Sequence, residues 1–284
     1  MNHHEAPMLG GRRLNRMGFG AMRLPGVRDV PENTERARSI LRRAVALGAT
    51  LIDTADFYGS GLANRSISEA LSPYPEDLII ATKVGVKAGA GGRPESAATP
   101  DEIRASVARN LETLGVERLD LVFLRLAGGP LADSGVPIET SLGCLAELQA
   151  QGLVGHVGLS SASMTDIERA NAVVPIEAVQ NAYFIGHTDS RDVLAWCDSV
   201  GIPFLAYFPL GMGKLPKHDA ALQRIATARG ATAAQIALAW LLALSPMMVP
   251  IPGTADLAHL EENMDAVLLD LSGDEVAQLN AVGD

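Results

Sequence analysis

Apolar and polar positions along this chain fall into two patterns that take turns. Short, nearly continuous apolar runs occupy residues 16–20, 49–53, 78–83, 119–124, 154–159, 178–180, 203–207 and 247–251. Runs this short, rich in Val, Ile and Leu with little polar alternation, suit strands of a parallel sheet covered on both faces. Between them, apolar residues recur three and four apart over 34–47, 62–71, 100–114, 138–151, 164–173, 191–200 and a longer stretch at 220–244; a last such pattern follows Thr254. That spacing predicts amphipathic helices. Local signals agree with the boundaries. Thr99-Pro100-Asp101-Glu102 sets a cap, a first-turn proline and two first-turn acids in order, and Gly48 and Gly115 stand where helices end.

Eight strand-then-helix units in succession predict an α/β fold, a closed (β/α)8 TIM barrel rather than an open doubly wound sheet, as a single domain over residues 1–284. The runs 88–93 and 127–135 read as loops after the third and fourth strands. In a barrel such loops sit at the C-terminal mouth, where function resides.

Composition narrows the class. Apolar residues make up 48% of the 284 and aromatic residues only 4%, so the core must be aliphatic. The net charge of −10 argues against nucleic acid and anionic membranes as partners. No apolar run reaches the roughly 18 residues of a membrane span, and the start of the chain lacks the basic and apolar regions of a signal peptide. Two cysteines, Cys144 and Cys197, are too few for a disulfide framework, which points to a reducing, cytoplasmic setting. His3, His4, His156, His187 and His218 show no ligand spacing, so no metal site is expected.

Three polar residues end consecutive strands: Asp53, Lys83 and Arg125. Neighbouring barrel strands would set them side by side at the mouth, with Tyr58 close behind Asp53. A lysine beside a phenol favours the phenolate and should lower its pKa from about 10 towards neutrality. Such a phenol can protonate a carbonyl oxygen as hydride arrives.

The chain resembles the aldo-keto reductases over nearly its whole length. The likeness rests on Gly18-Phe19-Gly20-Ala21-Met22, on Leu51-Ile52-Asp53-Thr54-Ala55 with Tyr58-Gly59, and on Thr82-Lys83. It continues in Gly158-Leu159-Ser160-Ser161, Val179-Gln180-Asn181 and Tyr207-Phe208-Pro209-Leu210-Gly211. It ends in Ile251-Pro252-Gly253-Thr254 with His259-Leu260-Glu261-Glu262-Asn263. The resemblance implies an NAD(P)H-dependent oxidoreductase acting on a small-molecule carbonyl, with Tyr58 as general acid tuned by Lys83 and Asp53. It assigns Ser160, Ser161 and Gln180 to the nicotinamide carboxamide and Tyr207 to stacking on the ring. Pro209, Leu210, Gly211 and Gly213 fall to the pyrophosphate, and Gly253, Thr254, His259, Glu262 and Asn263 to the adenosine end. Met22 stands at the pocket rim, either against the ligands or filling the barrel edge. It also implies a monomer.

Two departures matter. The fourth catalytic position, usually histidine, is Arg125. Arginine cannot exchange a proton in turnover, but it can donate hydrogen bonds to an oxygen and favour an anionic substrate. Bacterial members similar to pyridoxal reductases share this arginine, so pyridoxal to pyridoxine is the first expectation for substrate. A ketone or keto-sugar reductase and a catalytically weak regulatory barrel are the alternatives. Second, 250–263 contains no Lys or Arg but carries Asp256, Glu261 and Glu262. A 2′-phosphate calls for a cation, and His259 is the one candidate in that stretch. NADP(H) stands first and NAD(H) second. Each residue also has a plainer reading: Arg125 as an ion-pair partner of Asp120 or Glu117, Ser160 and Ser161 as helix caps, and Tyr207 as core packing.

Overall fold

The computed structural model describes residues 6–24, 34–90, 93–128, 131–213, 215–216 and 218–282. His3, His4 and parts of the runs 88–93 and 127–135 lie outside these. Among the described residues, eight strands form one parallel sheet in chain order: β3 (Phe19–Gly20), β4 (Leu51–Asp53), β5 (Ile79–Ala88), β7 (Leu119–Arg125), β8 (Val154–Ser160), β9 (Ala178–Ala182), β10 (Phe204–Tyr207) and β11 (Met248–Pro250). The helices that follow them are α1 (Thr34–Ala46), α2 (Leu62–Leu71), α3 (Pro100–Leu114), α4 (Ile138–Ala150), α5 (Met164–Asn171), α6 (Arg191–Val200), α7 (Ala220–Arg229), α8 (Ala233–Leu244) and α9 (Leu257–Asp265); α10 (Gly273–Asn280) ends the described fold. This is the expected barrel. No single described helix is long and apolar enough to cross a membrane.

The barrel closes between its first and last strands. Gly18 N donates to Pro250 O at 3.0 Å and Gly20 N to Pro252 O at 3.1 Å. The seam is backbone against backbone. A Cβ on Gly20 would meet Ile251 O at 2.8 Å, and one on Gly253 would meet Gly20 O at 2.4 Å, so only glycine fits at either place.

Two cores share the sheet. The larger lies between the outer sheet face and the helices; the smaller fills the barrel interior with Leu51, Ile79, Ala81, Leu121, Phe123, Ala178, Leu205, Val249 and Ile251. Phe123 is accommodated because Gly158 faces it; a Cβ there would stand 2.6 Å from the ring. The hairpin β1 (Met8–Leu9) and β2 (Arg12–Arg13) contributes Leu9 to this interior core.

Three elements differ from the sequence pattern. The first strand is only Phe19–Gly20, because Arg16 instead turns its guanidinium to the carbonyls of Leu242, Ser245 and Met248. The third runs on to Ala88 and pairs antiparallel with β6 (Pro94–Ala97), so part of the expected loop is a hairpin. The stretch 220–244 is two helices bent by 95°. Gly230 ends α7 in left-handed backbone and Thr232 opens α8 with a capping box to Gln235.

Candidate active site

The interior core residues set the phase of each strand. Side chains alternate faces along a strand, so two residues beyond Leu51, Ala81 and Phe123 stand Asp53, Lys83 and Arg125, and two beyond Ala178 and Leu205 stand Gln180 and Tyr207. The register joins them laterally: Asp53 is level with Ala81, Arg125 with Ser160, and Ser160 with Gln180. The polar residues therefore form the top layer of the barrel interior.

Lys83 is 5% exposed and Asp53 4%. The Lys83 ammonium donates to both Asp53 oxygens at 2.6 and 2.7 Å and to Thr54 O at 3.0 Å. It also lies 5.2 Å from the centre of the half-buried Tyr58 ring. Burial opposes the ammonium, but the charges of Asp53 and Tyr58 overcome it and hold Lys83 above the ordinary lysine value. Tyr58 departs from the sequence expectation. Burial pushes the phenol up, Lys83 and Arg125 pull it down, Asp53 pushes it up again, and the balance leaves it above 10.0. A cation partly neutralised by its own carboxylate has less attraction to spare for a phenolate. Tyr58 is a protonated donor at neutral pH.

Arg125 is not paired with Asp120 or Glu117. Asp120 holds Arg12 at 2.6 Å and the Ile80 N–H at 3.0 Å, whereas Arg125 donates to Leu126 O and Gly128 O at 2.5 and 3.1 Å. Burial pulls its guanidinium below the usual arginine value, against Tyr207 and Tyr58, both near enough to raise it. It remains charged at physiological pH. The sequence expectation sets it at the mouth; the anchors on Leu126 O and Gly128 O are what the fold adds.

The remaining singled-out residues form three groups. Ser160 and Gln180 are fully buried; Ser160 Oγ donates to Gln180 Oε1 at 3.4 Å, and Gln180 Nε2 donates to Asp53 Oδ1 at 2.7 Å. Ser161, in left-handed backbone at φ 61°, bonds Tyr207 through the two hydroxyls at 2.8 Å. Neither serine caps α5, whose cap is Ser163. The segment of Pro209, Leu210, Gly211 and Gly213 turns through left-handed backbone at Gly211, Met212 and Gly213, with open space beside Gly213. Met22 lies in the 3-10 turn that follows β3.

At the third group, Gly253 abuts Gly20, and Thr254 Oγ1 accepts from Asp256 N at 3.0 Å. Asp256 caps α9 through Ala258 N and His259 N. Asn263 is buried, His259 exposed, and the Glu262 carboxylate accepts from the Thr232 hydroxyl. Two cations missing from the local sequence arrive from α1: Arg36 pairs with Asp256 at 3.4 Å and Arg43 with Glu261 at 2.7 Å.

Sequence reasoning also missed a buried polar network on the outer side of the same strand ends. Thr54 Oγ1 donates to Asn64 Oδ1 at 2.8 Å, Asn64 Nδ2 to Asn110 Oδ1 at 2.9 Å, and Thr82 Oγ1 to the same oxygen at 2.6 Å. Asp56 Oδ2 accepts from Ser106 Oγ, Arg109 Nε and Arg109 Nη2 at 2.9–3.1 Å. The signal was present: Ser106, Arg109 and Asn110 put polar groups on a helix stripe that should be apolar.

Comparison with known proteins shows the family. The model of the aldo/keto reductase family matches residues 16–284. Pyridoxine 4-dehydrogenase of Escherichia coli is 42% identical over 280 residues, covering 96% of either chain. An uncharacterized oxidoreductase of Schizosaccharomyces pombe is 36% identical, covering 97% of this chain and 89% of its own. A thermostable aldo-keto reductase solved with the inhibitor epalrestat superposes with a TM-score of 0.82 at 29% identity, covering 96% of both chains. One from Klebsiella pneumoniae, solved with NADP and acetate, gives 0.83 at 24%, covering 97% of this chain and 94% of its own. The chain belongs to the aldo/keto reductase family and is an oxidoreductase acting on carbonyl and alcohol groups.

Proposed function

We propose that this protein is an NADP(H)-dependent carbonyl reductase that converts pyridoxal to pyridoxine, with Tyr58 as the general acid. The observation that carries the reading is the Asp53–Lys83 pair beside Tyr58, closed on the other side by Arg125. The bound cofactor supplies the hydride. Tyr58, protonated at neutral pH, gives its proton to the carbonyl oxygen. Asp53 and Thr54 O anchor the Lys83 ammonium, which also bonds the Tyr58 hydroxyl and stabilises the phenolate left behind. A phenol that stays protonated near neutrality is in the form that carbonyl reduction uses.

Arg125 supports the substrate class. Its fixed guanidinium, near both Tyr58 and Tyr207, suits a carbonyl with an acidic oxygen beside it, as the ring hydroxyl of pyridoxal is. The 42% likeness to pyridoxine 4-dehydrogenase points the same way.

For the cofactor, Ser160, Ser161 and Gln180 would hold the carboxamide and Tyr207 the ring. Pro209, Leu210, Gly211 and Gly213 would take the pyrophosphate, and Gly253, Thr254, His259, Glu262 and Asn263 the adenosine. The donor set suits the group: buried hydroxyl and amide at one end, left-handed backbone with open space beside Gly213 in the middle, and Arg36 and Arg43 offsetting Asp256 and Glu261 at the other. Asp256 favours NAD(H) as the second reading.

The test follows NADPH and NADH oxidation at 340 nm with pyridoxal, an aromatic aldehyde, a diketone and a keto-sugar, in wild type and Tyr58→Phe. Pyridoxal turnover that Tyr58→Phe abolishes is expected. Turnover surviving in Tyr58→Phe defeats the acid assignment. Turnover of the other carbonyls alone defeats the substrate, and a preference for NADH defeats the cofactor. Arg125→His should keep aldehyde reduction and lose the preference for pyridoxal.

A further inference from the structure

Asp56 is an anomaly two residues ahead of Tyr58. Its side chain is 2% exposed, and one oxygen takes every side-chain bond it accepts while the other, Oδ1, is buried without a partner. Burial pushes the carboxyl above its ordinary value, against Ser106 and Arg109. A carboxylate kept under such conditions burdens the fold at neutral pH. Packing alone gives no reason to keep one there.

The loop it belongs to supplies a reason. From Thr54 to Gly61 the chain makes successive turns, and Gly59, Ser60 and Gly61 are all left-handed, at φ 57°, 52° and 83°. Left-handed backbone at Ser60 is strained for a residue with a Cβ. Beyond Thr54, whose N–H donates to Ala81 O, no ladder holds this segment, yet it carries a phenol whose acidity depends on its burial and on its distance from Lys83. α3 provides the external hold. Ser106 and Arg109 grip Asp56, and Asn110, one position further, ties Thr82 directly and Thr54 through Asn64. Thr54 and Thr82 follow and precede Asp53 and Lys83 in the chain. One helix face therefore fixes both ends of the ion pair and the loop between them.

We propose that Asp56, clamped by Arg109 and Ser106 of α3, is a positioning residue that sets Tyr58 against Lys83 for proton transfer. It touches neither substrate nor cofactor; its effect is on where the phenol stands. This rests on Tyr58 being the general acid.

The test uses Asp56→Asn, Arg109→Gln and the double variant of the full chain. Arg109 is about half exposed on α3, so its variant folds even where a change at the buried Asp56 does not. Three quantities are read: kcat and KM for the aldehyde, NADPH affinity by fluorescence, and Tyr58 ionisation by ultraviolet difference titration against Tyr58→Phe. A displacement of the phenol by a fraction of an ångström costs on the order of tenfold to a hundredfold in rate. Each single variant is expected to lose that much kcat while KM and NADPH affinity change less than about twofold. Tyr58 titration should move, the melting temperature should fall little or rise in Asp56→Asn, and the double variant should be no worse than the singles. An unmoved tyrosine titration overturns the proposal, as do losses that multiply in the double variant or a kcat loss that only tracks lost folded protein. If Tyr58→Phe is fully active, the acid reading fails; the titration still reports whether Asp56 positions the phenol.

Discussion

Replacing Asp53 by Asn removes one charge from the buried pair and almost no volume, so the consequence can be worked through. Lys83 keeps Thr54 O and an amide oxygen but loses its counter-charge in a site where it is 5% exposed. Breaking a buried pair from one side costs about 3–5 kcal/mol. The lysine can escape by giving up its proton, which at pH 7 from a value near 10.4 costs about 4.6 kcal/mol. The loss is therefore bounded at about 3–4.6 kcal/mol. For 284 residues, about 2.1 cal/mol/K of unfolding entropy each gives about 0.6 kcal/mol/K, and hence a fall in Tm of about 5–8 °C. The Lys83 pKa is raised in the folded protein, so its contribution is complete below the unfolded lysine value near 10.4 and disappears as pH rises through the folded one. The gap between wild type and variant should be level in acid and narrow steadily as pH rises from about 8 towards the folded lysine value, because the deprotonation that caps the loss becomes cheaper by about 1.4 kcal/mol per pH unit. Adding Lys83→Met removes the stranded cation and should recover at least half of the loss. Calorimetric melts across pH on the three proteins test this. A single variant within about 1 °C of wild type, or a double variant no more stable than the single, refutes the picture of a buried pair held by its own charges.

Three further outcomes follow from the same structure. Gly253→Ala would press a Cβ to 2.4 Å from Gly20 O across the closing seam, so backbone must part; urea unfolding should show a loss of about 1–3 kcal/mol. Arg229 and the Ser272 cap hold Glu275 down at about 2. Its stabilisation is present above the ordinary glutamate value of 4.5 and lost as pH falls through about 2. Because the pair lies at the surface, with Arg229 about one-third exposed, Glu275→Gln should cost only about 1 kcal/mol at pH 7, with the difference vanishing in acid urea melts. Burial pushes the Cys197 thiol up to about 12, and Cys144 is buried too. Labelling by a thiol reagent at pH 8 should therefore proceed at the unfolding rate, and fast labelling of either cysteine would contradict the packing.

Local sequence alone determined the alternation of strands and helices, the eight units and so the barrel, because hydrophobic period and helix caps depend only on near neighbours. It also placed Asp53, Lys83 and Arg125 at strand ends, and strand ends become one layer once the sheet closes. Gly230 and Thr232 marked the break between α7 and α8, but the apolar pattern runs across them, and only the folded chain shows two helices bent by 95°. Tertiary structure decided what depends on distance between remote residues and on exclusion of water. It brought Arg36 and Arg43 of α1 against the acids of α9, supplying cations that residues 250–263 lack. It turned Gln180 towards Asp53 and freed Arg125 from Asp120. It also reversed the direction of the Tyr58 shift. From sequence the lysine is a neighbouring charge that lowers the phenol; in the fold that charge is matched by Asp53 while burial acts on the phenol itself, so desolvation outweighs attraction.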